Sequence, residues 1–425
     1  MKVFLNSVGC RLNQSEIERV SNQFRMVGYE IVDCVENSDF VIINTCTVTS
    51  AAAADSRRLI RQANRKNPEA KIILTGCWST LEEEAARQFP GVFEVVHNSL
   101  KDQLVPILLN LPEDQFDLEP IIRYPLKGLR ARTRAFIKVQ DGCDNACTFC
   151  ITTVARGDAR SITPDQILHE VKAAMAAGIQ EVVLTGVQLT AYGVDRQDGT
   201  LKALVRSLLI ETDIPRIRLS SLEPWAVESD FFQLWSDPRL CRQLHLPLQS
   251  GSATTLRRMG RPISPKTYAQ LIREARESIP DIAITTDIIV GFPGETEAEF
   301  EESLEFIDQM KFAHAHVFTY SPREGTPAFR LPNRVPVELA RQRNKQVQDT
   351  VKKSSKAYRE GFLNHRLSAL WESTRPLDHN KWELQGLTDN YLRVRAIADT
   401  NLWNHVSPIR VLRIEEKELF CGIIP

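Results

Sequence analysis

Short apolar runs and helical spacings alternate along most of this chain, and the alternation changes scale twice. Between residues 1 and 110, KVFLNSVG, DFVIINT, KIILTG and FEVVHN are apolar runs of strand length. SEIERVSNQFRMVG (closed by Gly28), AADSRRLIRQANRKN and LEEEAARQF lie between them with helical spacing. Nearly continuous apolar strands separated by helices predict a parallel sheet covered on both faces. Residues 111–134 lose the periodicity and carry three prolines and a terminal cluster of arginines, which predicts a linker. Residues 135–365 resume the alternation on a longer scale. AFIKVQ, EVVLTG, IRLSS, QLHLPLQ, AITTDIIVG and HAHVFTYS are the candidate strands, separated by helical patterns and followed by a long polar helix. Six strand–helix units suit a (βα) barrel or part of one. Residues 366–425 hold only short strand candidates, LSALWES, WELQGLT, YLRVRAIA, SPIRVLRIEE and LFCGII, as in a small all-β barrel. The fold class is therefore α/β with a C-terminal β-module.

Composition narrows the class of protein. At 425 residues, 43% hydrophobic and 25% charged, the chain has ordinary globular usage, which excludes a disordered, collagen-like or coiled-coil protein. A formal charge of −1 excludes a uniformly basic nucleic-acid coat, so any RNA contact must come from local patches. MKVFLNSVGCRLNQ has no basic-then-apolar leader pattern, and AITTDIIVGF is too short to cross a bilayer. The expectation is a soluble, cytoplasmic protein without membrane partners.

Nine cysteines then change the picture. Their odd number in a long chain without an export signal argues against a disulfide framework. Cys143, Cys147 and Cys150 form C-x3-C-x2-C directly after a predicted strand, among Gly, Asp and Asn residues that mark a loop. Three thiolates there can hold three irons of a 4Fe–4S cube and leave the fourth iron open to a chelating amino and carboxylate group. A closed structural zinc site fits less well, because the nearest histidine, His169, lies in a helical pattern. Cys10, Cys46 and Cys77 each end a predicted parallel strand, where α/β sheets gather ligand groups. They are candidates for a second cluster; the alternative is ordinary buried cysteine. Cys34, Cys241 and Cys421 read as small core hydrophobes.

C-x3-C-x2-C at the end of a barrel's first strand resembles the radical S-adenosylmethionine superfamily. GCRLNQSEIE, INTCTVT and TGC, then GCDNACTFC with ARGDARS, then the β-module, together resemble the methylthiotransferase family over nearly the whole chain. The resemblance implies a domain with an auxiliary 4Fe–4S cluster on Cys10, Cys46 and Cys77 (1–110). A radical barrel and following helix (135–365) would hold the second 4Fe–4S cluster on Cys143, Cys147 and Cys150, with S-adenosylmethionine. An RNA-binding module of the TRAM kind (366–425) completes the chain. Two departures, WST after Cys77 and ITTVARG after Cys150, remove no ligand. The implied chemistry delivers a methylthio group from the auxiliary cluster to adenine C2. One S-adenosylmethionine supplies the methyl and a second, cleaved at the radical cluster, supplies the radical. The implied partners are a tRNA anticodon loop, an electron donor such as flavodoxin or ferredoxin, and a sulfur source.

Within the family, RLSSLEP, HVFTYSPREGTPA and NTCTVTSAA look most like the group acting on N6-threonylcarbamoyladenosine at position 37, next to the anticodon. Ser221 and Glu223 follow a barrel strand, where they would hydrogen-bond a polar carbamoyl-threonine substituent and find no partner on an isopentenyl one. The alternative is that Glu223 caps backbone or pairs with an arginine. Gly186, Gln249, Gly291 and Pro293 follow other strands and are candidates for the cofactor's adenosyl or methionine end, or tight turns. His245 is equally a core histidine or a contact. For RNA, Arg130, Arg132, Arg134, Arg156 and Arg160 flank the radical motif, and Arg393, Arg395, Arg410 and Arg413 stripe the β-module. Trp371, Trp382, Tyr391 and Trp403 are stacking candidates or core. The rival targets are isopentenyladenosine tRNA and a ribosomal protein. The rival class is an iron–sulfur RNA-binding regulator without catalysis.

Overall fold

The computed structural model describes residues 1–112, 116, 133–197, 199–378 and 380–424. Most of the expected linker, with Arg130 and Arg132, lies outside the described residues. The chain divides into two compact units. One comprises 1–145, 150–178 and 185–187; the other comprises 146–149, 179–184 and 188–425.

The first unit opens with β1 (Lys2–Ser7), α1 (Arg11–Met26), β2 (Glu30–Val32), β3 (Phe40–Thr45), α2 (Ser50–Lys66) and β4 (Lys71–Gly76). Then follow α3 (Cys77–Leu81), α4 (Glu83–Arg87), β5 (Val92–Val95) and α5 (Leu104–Leu109). The five strands form one sheet in the order β2-β1-β3-β4-β5, every pairing parallel. Its faces follow the period-two alternation of a strand. Val3, Leu5, Ile42 and Ile73 join Ile17 and Phe24 on one side, while Val41, Ile43, Ile72 and Leu74 join Ile60 and Trp78 on the other. LEEEAARQF does not form one helix: Glu82, at φ −118° and ψ 47°, interrupts the turn between α3 and α4. The short β2 had no apolar run to announce it. The unit continues through β6 (Arg134–Lys138), β7 (Gln140–Asp141), α6 (Thr152–Arg156), β8 (Arg160–Ser161) and α7 (Pro164–Ala176). β7 and β8 pair antiparallel and close the loop that carries the C-x3-C-x2-C motif. Thr163 caps α7 through the Gln166 N–H, with Pro164 in its first turn.

The second unit contains β9 (Glu181–Thr185) up to Leu184, α8 (Leu201–Glu211), β10 (Arg216–Leu219), β11 (Gln243–His245), α9 (Ala253–Arg258) and α10 (Pro265–Ser278). β12 (Ala283–Val290), α11 (Glu297–Met310), β13 (His314–Thr319) and α12 (Val337–Glu360) follow. β9 pairs with β10, β11 with β12 and β12 with β13, all parallel. Single bridges at Ile217–Leu240 and Ser221–His245 join the two sets into one arc of a partial barrel. QLHLPLQ forms a strand only to His245. Pro247 cannot donate to the ladder, and Gln249 takes a left-handed φ of 70°.

The C-terminal module consists of β14 (Arg366–Pro376), β15 (Trp382–Thr388), β16 (Arg393–Ala398), β17 (Val406–Ile414) and β18 (Leu419–Ile423). They close into a barrel in the order β14-β15-β16-β18-β17 around Leu367, Trp371, Leu384, Val394, Ile409 and Val411. No described helix is long and apolar enough to cross a membrane.

Candidate functional site

Cys10, Cys46 and Cys77 follow β1, β3 and β4, which are neighbours in the parallel sheet, so all three start from one sheet edge. Two glycines bring the strand ends close. Gly9 sits at φ 98°, and a Cβ there would lie 2.5 Å from Cys46 Sγ. Gly76 sits at φ 99°, and a Cβ there would lie 2.3 Å from the Thr45 carbonyl oxygen. Only glycine tolerates both the left-handed backbone and the contact. Cys46 and Cys77 are buried and Cys10 is exposed. Burial pushes the Cys46 thiol up to about 11; the neighbouring Cys10 and Cys77 push the same way, against a Val48 backbone hydrogen bond and Arg156. Thiols that resist ionising alone become thiolates when iron supplies the compensating charge. Asn98 donates to Cys77 Sγ at 3.5 Å, and its own Oδ1 is buried without a partner. This donor set suits a thiolate-bound cluster.

The C-x3-C-x2-C loop is fixed by its backbone. Gly142, at φ 71°, sits so close to Asp158 that a Cβ would fall 1.8 Å from its carbonyl oxygen. The Cys143 N–H donates to the Gly157 carbonyl at 3.0 Å, and the Ala159 N–H donates to Asp144 Oδ1 at 2.9 Å. Cys150 Sγ accepts the Thr152 N–H at 3.4 Å, at the start of α6. Cys147 belongs to the second unit. There the Thr148 N–H donates to the Met259 carbonyl, and Gly260 (φ 68°) lets the Ala146 carbonyl pass 2.7 Å from its Cβ position. Among the described residues no group of three or more His, Cys, Asp or Glu side chains is disposed to hold a single metal ion. A cubane carries its thiolates on three different irons and asks for a wider triangle.

Around Cys147 the second unit gathers polar groups. Arg261, 3% exposed, has its Nη1 3.9 Å from Cys147 Sγ and 2.9 Å from Glu223 Oε2. Its guanidinium also donates to the Pro247 carbonyl and stacks 4.2 Å over the Trp225 ring. Glu223 is therefore paired with an arginine. Burial holds its carboxyl above the usual value although Arg261 pulls it down. Ser221 bridges to His245, whose Nδ1 meets Thr285 Oγ1 at 3.0 Å and whose Nε2 lies 3.3 Å from Asp287. Burial works to raise the Asp287 carboxyl, but His245, His316 and Arg261 outweigh it and leave it low.

The remaining sequence candidates separate. Gln249 is buried, with Oε1 unpartnered. A Cβ on Gly186 would meet the Gln140 side chain at 3.0 Å. Gly291 serves packing: its Cβ position lies 2.7 Å from Ala340 Cβ of α12, and its N–H donates to Glu295. Pro293 is buried in the same turn. Arg156 does not belong to a surface patch. It is 2% exposed and paired with Glu16 and Asp141, because the loop it follows folds back onto the first sheet's helix α1. Arg160 remains exposed. On the β-module Arg393 and Arg410 are exposed, whereas Arg395 pairs with Glu383, Glu415 and Glu418. Trp371 is core, its Nε1 bonded to Ser407. Arg261 escaped the sequence reading; its only signal is a position just after the helical pattern ATTLRR.

Residues 137–307 match the radical SAM superfamily model, and residues 2–97 match that of the uncharacterized protein family UPF0004. The chain is 32% identical to the threonylcarbamoyladenosine tRNA methylthiotransferase MtaB of Bacillus subtilis, covering 97% of this chain and 94% of that one. It is 35% identical to a tRNA-2-methylthio-N(6)-dimethylallyladenosine synthase of Thermus thermophilus, covering 80% and 75%. Among solved structures it resembles the radical S-adenosylmethionine methyltransferase TsrM of Kitasatospora setae, with a TM-score of 0.59, 15% identity and 77% of each chain covered. That last likeness speaks for the fold. With relatives above 30% identity over most of its length, and a radical SAM core, the chain belongs to the methylthiotransferase family of radical S-adenosylmethionine enzymes.

Proposed function

We propose that this enzyme methylthiolates C2 of N6-threonylcarbamoyladenosine next to the anticodon of tRNA. The observation that carries this reading is the polar ground beside Cys147, where Glu223, Arg261, His245 and Asp287 stand together. A substituent bearing a carboxylate, a hydroxyl and a urea-like carbamoyl group finds donors and acceptors there. An isopentenyl group offers these polar groups no hydrogen bond in return for covering them. Relatives named for threonylcarbamoyladenosine in Bacillus subtilis, Thermotoga maritima and Aquifex aeolicus agree with it.

Cys143, Cys147 and Cys150 would hold the radical cluster, and Cys10, Cys46 and Cys77 the auxiliary one. When bound, the clusters and S-adenosylmethionine supply the radical chemistry and the methylthio sulfur. The chain's own groups do the positioning. Glycines at 9, 76 and 142 let the cysteine loops close, and Arg261 ties Glu223 to the Cys147 segment. Ser221 and Glu223 orient the base substituent. Gln249, with its unpartnered Oε1, contacts S-adenosylmethionine. Arg393 and Arg410 meet RNA phosphates. An external electron donor and a sulfur source complete the turnover.

The test is anaerobic reconstitution with reductant, S-adenosylmethionine and tRNA carrying either threonylcarbamoyladenosine or isopentenyladenosine, read by nucleoside mass. The expected result is a methylthio gain on the threonylcarbamoyl nucleoside alone, abolished by Cys147→Ala and by Cys46→Ala. A gain on the isopentenyl nucleoside instead overturns the substrate assignment. No cleavage of S-adenosylmethionine by iron-loaded protein overturns the whole reading.

A further inference from the structure

A buried arginine in the first unit reaches the loops that carry Cys10 and Cys46 through one side chain, and the residue before it is tied to Cys77 through another. Arg156 ends α6, six residues after Cys150, and only 2% of its side chain reaches solvent. Its Nη1 lies 2.8 Å from both Glu16 Oε1 and Asp141 Oδ1, and its Nη2 donates to Asn13 Oδ1 at 2.7 Å. Asn13 in turn donates to the Val8 carbonyl at 2.8 Å and the Thr45 carbonyl at 3.1 Å, holding the strand ends that lead into Cys10 and Cys46. The same Asn13 Oδ1 is 3.6 Å from Cys10 Sγ. The third cysteine is reached through Asn98, which donates to Cys77 Sγ at 3.5 Å and to the carbonyl of Ala155, the residue before Arg156, at 2.9 Å.

The cluster is a network of ion pairs. Glu16 also binds Lys101 at 2.7 Å, and Lys138 binds Asp102 at 2.9 Å and lies 3.9 Å from Asp141. Arg156, Lys101 and Lys138 thus face Glu16, Asp141 and Asp102, with Arg19 3.7 Å from Asp102 and Arg160 3.9 Å from Asp141 on the more exposed side. Burying them is costly, and apolar residues of equal volume would hold the fold as well or better. A buried charge whose partner Asn13 holds the strand ends leading into Cys10 and Cys46 has a use that an apolar residue cannot serve. The reduction potential of an iron–sulfur cluster depends on nearby net charge and on hydrogen bonds to its sulfurs.

We propose that Arg156 is the charge-setting positioning residue of the auxiliary cluster: its guanidinium raises the cluster's reduction potential, and Glu16 both fixes it and offsets it. This rests on the assignment of that cluster to Cys10, Cys46 and Cys77. Reduction adds one electron, so a neighbouring cation stabilises the reduced form, and its removal favours the oxidised one.

The experiment uses the full chain with Cys143, Cys147 and Cys150 all changed to Ala, reconstituted anaerobically so that only the auxiliary site can load. Iron content is measured first, then a reductive titration is followed by absorbance and electron paramagnetic resonance. Arg156→Gln should shift the reduced-to-oxidised ratio at fixed potential about tenfold towards oxidised, or about 59 mV more negative for a one-electron couple. Glu16→Gln should shift it the other way, and the double variant should return close to the parent. Glu16→Gln keeps volume and carries the test even where Arg156→Gln does not fold. Full iron content with shifts under twofold, or both single variants moving in one direction, overturns the proposal alone. No iron uptake, or uptake that survives further change of Cys46 to Ala, overturns the cluster assignment and the proposal with it.

Discussion

Gly142→Ala is the sharpest test of how the proposed radical-site loop is held. Gly142 precedes Cys143 at φ 71°, and its added Cβ would fall 1.8 Å from the Asp158 carbonyl oxygen and 2.7 Å from that of Gly157. The left-handed backbone alone costs an alanine roughly 1–2 kcal/mol. Relieving the overlap requires the hairpin to open, at the roughly 1–3 kcal/mol typical of overpacking. The Cys143–Gly157 and Ala159–Asp144 hydrogen bonds resist that opening. Together these terms give about 2–5 kcal/mol, and the lower end already weakens the cluster-ready loop about 30-fold. The assay is iron retained against a chelator after anaerobic reconstitution, in a chain lacking Cys10, Cys46 and Cys77 so that only the proposed radical site counts. Gly178→Ala is the control. It has the same backbone handicap at φ 79°, but nothing lies within 4 Å of its Cβ position and it follows α7, away from the motif. The expected outcome is loss of iron in Gly142→Ala and full loading in Gly178→Ala. Equal retention in both would refute the claim that this contact shapes the ligand loop.

Other predictions concern the wider fold. Glu181, fully buried, lies 2.9 Å from Arg216 Nε and 2.7 Å from Arg218 Nε, so Glu181→Gln should cost about 3–5 kcal/mol in denaturant unfolding of the second unit. A cost under about 0.5 kcal/mol would show those guanidiniums to be satisfied by the Leu387, Thr388 and Asp389 carbonyls alone. Arg393→Ala and Arg410→Ala should each weaken tRNA binding and flatten its salt dependence by about 0.7–0.9 in log–log slope. Arg395→Ala, whose charge is spent on three glutamates, should move the slope less; the reverse order in salt titrations would reassign the RNA face. Glu16 is held well below the ordinary carboxylate value: burial opposes this, and Arg156, Lys101 and Lys138 overcome it. Its contribution to stability is present above about pH 4.5, the unfolded value, and is lost as pH falls through the lower folded one. Thermal unfolding of Glu16→Gln should therefore lose less than the parent between pH 5 and pH 3.

The local elements were written in the sequence, because apolar runs and helical spacing are properties of adjacent residues. KVFLNSVG, DFVIINT and KIILTG became β1, β3 and β4, and the five short strands after residue 366 became the closed barrel. Motif spacing likewise singled out Cys143, Cys147 and Cys150 as candidate ligands from eight consecutive residues. What required the tertiary structure was everything that depends on which strands become neighbours. Cys10, Cys46 and Cys77 share one sheet edge only because β1, β3 and β4 are adjacent and parallel, which the crossovers decide. Arg216 and Arg218 lie on either side of Ile217 in β10, where nothing in the local pattern names their partners, yet register sets Arg216 opposite Glu181 and the β-module supplies carbonyls to both. Arg156, read from its neighbours as part of an RNA patch, is buried because its partners Asn13 and Glu16 lie more than a hundred residues earlier. A one-dimensional pattern records whether a residue prefers water. The charge that will face it across a long loop closure is fixed only when the chain has packed.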